Sequence, residues 1–202
     1  MWRRRGPETP GGALALCLLL AAAQQLAAAG MIKAKAHLAP LLIARAWQES
    51  RAAGGLPVKP WPWADTWPVA RLRVPAHGEA LLVLAGDAGN ALAFGPGHAR
   101  ASAPLGSPGL AVIGGHRDTH FRFLRELRAG DRIRMTGREQ SRWFEVTSLE
   151  VVDSRARELV IEPGVERLGL VTCYPFDDPV AGGPLRYVVT AVPVRPRWPS
   201  SG

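Results

Sequence analysis

From residue 13 to residue 32 the chain runs for twenty residues without a charge, interrupted only by Gln24-Gln25. At about 1.5 Å per residue a helix of that length spans about 30 Å, the thickness of a bilayer core. The pattern predicts a transmembrane signal anchor over 13–32, behind a polar cytoplasmic tail over 1–12. A cleaved signal peptide is the competing reading, because Ala27-Ala28-Ala29 supplies small residues for cleavage. The run is longer than the usual signal-peptide core of about 7–15 residues, which favours the anchor. Arg3-Arg4-Arg5 favour a cytoplasmic N-terminus, although Lys33 and Lys35 weaken the asymmetry. The rest of the chain is then expected outside the cytoplasm, on the periplasmic side of the inner membrane.

Beyond the span, Leu38, Leu41, Leu42, Ala46 and Trp47 recur at helical spacing and predict a short amphipathic helix over 37–53, stopped by Gly54-Gly55. Pro40 is expected in its first turn. Pro57, Pro60, Trp61, Pro62, Trp63, Trp67 and Pro68 follow, and read as an extended stretch pinned to a domain by its indoles. A ligand platform is the functional alternative. Together 33–68 forms a juxtamembrane helix and linker.

From Val69 the pattern changes to short strands: 69–74, 81–84, 110–113, 132–135, 143–152, 169–173 and 186–192, separated by Gly/Pro/Asp clusters. One helical pattern, 119–128, puts Phe121, Leu124 and Leu127 on one face, and a second short helix is expected near 90–94. About eight short strands over 69–194 predict a mainly β domain closed as a barrel, followed by a tail over 195–202.

Composition narrows the function classes. A length of 202 residues allows a leader and one ordinary domain. The net charge of +8 is spread as scattered arginines among acids, with only three lysines (Lys33, Lys35, Lys59). A nucleic-acid partner calls for a clustered basic patch, so none is expected. Two cysteines, Cys17 and Cys173, are too few for a disulfide framework, a zinc ribbon or an iron–sulfur cluster.

The chemistry sits at three strand ends. Cys173 closes the apolar run Leu168-Gly169-Leu170-Val171-Thr172, and Tyr174-Pro175 turns the chain at once. This places a thiol at a barrel rim. His116 follows another apolar strand and two glycines, Gly114-Gly115, which allow close approach. A cysteine and a histidine meeting across one rim satisfy what nucleophilic thiol chemistry needs. Arg186 opens the last strand, where an antiparallel neighbour carries it to the same rim. A guanidinium there favours a thiolate and an oxyanion. The bland alternative pairs Arg186 with Asp177 or Asp178. His116 and His120 are spaced i, i+4, but Arg117 occupies the place where a zinc-protease helix carries glutamate, so no metal is expected. His120 reads as a polar residue at a helix start, and Cys17 as an apolar filler.

These segments resemble the sortases, membrane-anchored cysteine transpeptidases with an eight-stranded β-barrel. The cysteine motif of that family, Thr-Leu-x-Thr-Cys, is matched by Gly169-Leu170-Val171-Thr172-Cys173, with glycine in place of the first threonine. The segments Gly115-His116-Arg117-Asp118-Thr119-His120-Phe121 and Leu185-Arg186-Tyr187-Val188-Val189 are also similar to it. The resemblance covers about 61–194 and implies catalytic roles for His116, Cys173 and Arg186, with no cofactor. It implies a protein substrate with a C-terminal LPxTG-like sorting signal, cleaved between Thr and Gly, and an amine acceptor. The Trp61–Pro68 segment and the short loops look like the proteobacterial, Gram-negative type. Two rivals stand beside this reading. One is a cell-envelope cysteine hydrolase using Asp118, which lies too near His116 in sequence to orient it well. The other is a non-catalytic, membrane-tethered β-barrel binding module.

Overall fold

The computed structural model describes residues 10–137, 140–156, 164–178 and 182–194. The tail over 195–202, and residues 1–9 of the amino-terminal tail, lie outside the described residues. The chain divides into two compact units, 1–41 and 42–202.

A single helix, α1 (Pro10–Ala52), covers the stretch where the sequence pattern suggested two separate segments. Pro40 therefore lies inside a helix rather than in a first turn, and gives up one backbone hydrogen bond. In the first unit, Leu14, Leu16, Leu18, Leu19, Leu20 and Leu26 are all exposed. Among the described residues, no helix is long and apolar enough to cross a membrane. The expected transmembrane span is therefore not met on that measure.

In the second unit the end of α1 buries Ile43, Ala46 and Trp47. Ile43 packs with Leu84 and Ala91, and Trp61, Leu82 and Phe94 close around them. The Ser50 hydroxyl donates to the Leu56 carbonyl at 2.6 Å, fixing the turn that follows. The Pro/Trp segment is not extended throughout, because Ala64 N–H bonds back to the Trp61 carbonyl at 3.0 Å. Trp61 meets Phe94 edge-on at 5.3 Å, as an indole staple does, whereas Trp63 is 82% exposed.

Eight strands close the barrel: β1 (Pro68–Val74), β2 (Glu79–Ala85), β3 (Gly97–His98), β4 (Gly109–Gly114), β5 (Arg132–Thr136), β6 (Ser141–Asp153), β7 (Glu166–Cys173) and β8 (Leu185–Val194). Their order around the barrel is β1-β2-β3-β4-β7-β8-β6-β5, with β5 returning to β1. Alternate residues point inward, so Leu72, Val74, Ile113, Ile133, Leu168, Leu170, Val189 and Ala191 fill the core.

The helix expected over 119–128 is a five-residue 3-10 helix, Arg122–Glu126, and the second is α2 (Gly89–Leu92). Leu127 is already extended, which ends the first one early. The expected face is nonetheless buried, with Phe121, Leu124 and Leu127 plugging the barrel.

Candidate active site

The β4–β7 pair is parallel, and its register is constant from Gly109↔Glu166 to Gly114↔Val171. The register ends at Gly114↔Val171, two residues short of His116 on one chain and of Cys173 on the other. Two bonds continue the ladder past the strand end. Gly115 N–H donates to the Val171 carbonyl at 3.1 Å, and Thr172 Oγ1 donates to the Gly115 carbonyl at 2.7 Å. On the other side of β7, the antiparallel register puts Cys173 directly opposite Arg186. Cys173 and Arg186 thus pair across β7 and β8, and His116 leaves the end of β4, the other neighbour of β7.

Each is held differently. Cys173 is a half-buried free thiol, and His116 is exposed. Arg186 Nη1 donates to the Gly183 carbonyl at 2.6 Å and to the Leu185 carbonyl at 2.9 Å. Backbone carbonyls therefore set the guanidinium, rather than the carboxylates weighed in the sequence. Asp177 instead approaches Arg125, at 3.5 Å. His120 is half-buried; burial first, and then the charge of neighbouring His116, lower its pKa below the ordinary 6.5. Among the described residues, no three His, Cys, Asp or Glu side chains converge to hold a metal ion.

Gly115 has a packing reason to be glycine. A Cβ there would stand 2.7 Å from two ring carbons of Phe121, which is fully buried. The ring passes directly under the backbone that presents His116.

A family model described as the sortase domain matches residues 72–194. The chain belongs to the sortase family. It is 32% identical to Sortase D of Bacillus subtilis (strain 168) over 119 residues, 58% of this chain and 60% of that protein. The chain therefore spans about 60% of that relative's length. Among solved structures, a lid mutant of Sortase A from Corynebacterium diphtheriae is similar with a TM-score of 0.57 and 26% identity, covering 66% of this chain and 74% of that one. Sortase C-1 from Actinomyces oris is similar with a TM-score of 0.56 and 27% identity, over 64% and 74%.

Within this sortase fold, a cavity of about 470 Å³ opens at the far end of β7, floored by Ala70, Met135, Phe144 and Leu168. An Arg142–Glu166 ion pair at 2.8 Å lines it. None of His116, Cys173 or Arg186 lines it, so the candidate chemistry lies on the barrel rim and not in this hollow. Two residues of the rim escaped the sequence reading. Thr172 is in sequence only one position of a motif, yet its buried hydroxyl links the two strand ends. Arg117 reads in sequence only as an obstacle to a metal, yet it reaches the turn beyond Cys173.

The sortase motif's first position, Gly169, also has a local account. A Cβ there would stand 3.3 Å from Leu110 Cδ1. The Leu110 side chain therefore leaves little room for a side chain at this position.

Proposed function

We propose that the protein is a cysteine transpeptidase that cleaves a protein substrate at an LPxTG-like C-terminal sorting signal and passes the acyl group to an amine. The observation that carries this reading is the register that pairs Cys173 with Arg186, with His116 two residues beyond the last β4 residue paired to the same strand, in a chain of the sortase family. The thiolate of Cys173 attacks the carbonyl carbon of the Thr–Gly bond, and the carbonyl oxygen becomes an oxyanion. Arg186, its plane set by the Gly183 and Leu185 carbonyls, donates to that oxygen. His116 gives its proton to the departing glycine nitrogen, the C–N bond breaks and a thioester remains on Cys173. An incoming amine then attacks the thioester. His116 takes a proton from it, and Cys173 leaves as thiolate.

The segment 13–32 is the proposed membrane anchor, holding the barrel on the periplasmic side of the cytoplasmic membrane. Its six exposed leucines support this, since apolar side chains around a helix call for an apolar surround. The proteobacterial type is proposed on the resemblance of the Trp61–Pro68 segment and the short loops. Retention of the full-length protein in the membrane pellet after alkaline washing is the expected result for an anchor; a mature N-terminus near Gly30 would mean a signal peptide.

The deciding experiment incubates the purified protein with an LPxTG-like peptide, with and without a primary amine. A thioester adduct on Cys173 and an amine-dependent product are expected. Cleavage with the same yield and no amine product would make the protein a hydrolase. An inert thiol with peptide bound would make it a binding module.

A further inference from the structure

His116 is exposed and reaches the rim on the chain that leaves β4, past the last paired residue, Gly114. Contacts outside the sheet fix it, and its own carbonyl already accepts from Phe121 N–H at 2.9 Å. One bond acts before it: Thr172, preceding the thiol, grips the carbonyl of Gly115, preceding the histidine. The residue after the histidine makes the reciprocal connection. Arg117 Nη1 donates to the Pro175 carbonyl at 2.7 Å, and Nη2 to the Asp178 carbonyl at 2.5 Å. Both acceptors lie in the β7–β8 turn, just beyond Cys173. The same turn runs on to Gly183 and Leu185, whose carbonyls hold Arg186.

We infer that Arg117 is a positioning residue that, by spanning the Pro175 and Asp178 carbonyls with its two terminal nitrogens, holds His116 in place to protonate the group leaving Cys173. The fork geometry matters. A guanidinium presents two parallel N–H donors in a rigid plane, and charge-assisted bonds of this kind are about twice as strong as neutral ones. A lysine reaches one carbonyl at a time. Arg125, on the 3-10 helix, makes a longer contact to the same turn, at 3.5 Å to Asp177, a residue 90% exposed on its side chain. A contact of that kind contributes little, so Arg125 serves as a control for charge near the loop. The inference rests on the transpeptidase reading only where peptide cleavage is measured.

The test compares wild type with Arg117→Ala, Arg117→Lys and Arg125→Ala, using Arg117→Gln where the alanine variant does not fold. The first readout needs no substrate. The His116 ring resonances are recorded by NMR at one fixed pH before and after Cys173 is capped with methyl methanethiosulfonate. Capping is expected to displace the His116 ring resonances in wild type and Arg125→Ala, and to displace them by less than half as much in Arg117→Ala. An equal response in wild type and Arg117→Ala overturns the inference. The second readout is cleavage of an amide peptide and of its ester analogue, whose alcohol leaves with less need of a proton. Misplacing a catalytic group by about 1 Å can cost about 100-fold. Amide cleavage by Arg117→Ala is therefore expected to fall about 10- to 100-fold, and ester cleavage by less than about three-fold. Equal loss on both substrates, or full amide activity in Arg117→Lys, overturns the inference. A wild-type protein that cleaves neither substrate sinks the transpeptidase reading, and the capping response alone then decides whether Arg117 holds the histidine.

Discussion

Thr172 Oγ1 and the Gly115 carbonyl, 2.7 Å apart, join the residue before the thiol to the residue before the histidine. Thr172 is only 2% exposed, so water is poorly placed to replace its hydroxyl. Thr172→Val keeps the shape and leaves the carbonyl unmatched, which costs about 1–3 kcal/mol for a buried group. Thr172→Ser is expected to restore most of it. Urea midpoints and acyl-enzyme rates on both variants check this, and a valine variant equal to wild type in both would show the hydroxyl idle.

Gly115→Ala drives a methyl group into the Phe121 ring, which has nowhere to go inside the barrel. Overpacking of this kind costs about 1–3 kcal/mol. Adding Phe121→Leu makes room, so the double variant is expected to recover stability rather than lose more. Strict additivity in thermal unfolding would refute the close contact.

Arg186→Lys separates charge from geometry. The guanidinium is oriented by two backbone carbonyls, an arrangement that an ammonium on a flexible stem does not reproduce. An oxyanion donor is worth about 10²–10³-fold in rate. The lysine variant is expected to keep its thiol-labelling rate while losing most acyl transfer. Wild-type cleavage by it would reduce Arg186 to a simple charge.

His120 gives the domain a pH signature. Burial and the nearby His116 lower its pKa in the fold, so on acidification the unfolded chain takes up this proton first. Stability from this group is therefore unchanged above about pH 6.5 and falls as the pH drops below that value. His120→Gln is expected to flatten this slope. Thermal midpoints at about pH 5.5 and about pH 7.5 measure it, and an unchanged slope in the variant would place the acid sensitivity elsewhere. His116→Ala is expected to cost about 10²–10⁴-fold in acyl transfer, and His120→Gln far less, if only His116 carries protons.

Strands with their own apolar alternation were legible in the sequence, and β3 was not. Gly97–His98 is two residues long and has no pattern of its own; it pairs because Leu84 on one side and Gly114 on the other hold it. The single run of α1 was hidden because Pro40 reads locally as a beginning. His116, Cys173 and Arg186 stood out because each is chemically distinctive and ends or opens an apolar run. Thr172 and Arg117 did not. Their partners lie 57 and more residues away, and only the strand register brings those carbonyls within reach.

The parallel β4–β7 register has a consequence for how such a chain tolerates insertions and deletions. The two strands are aligned by their own ladder, and everything between Gly114 and Glu166 makes an excursion that returns to the same rail. Lengthening or trimming the turns of that excursion leaves His116 and Cys173 abreast. One residue added within β7 before Cys173 does the opposite, since successive strand residues face opposite sides. With the addition ahead of Thr172, the thiol would turn to the inward face and Thr172 would take the rim position in its place.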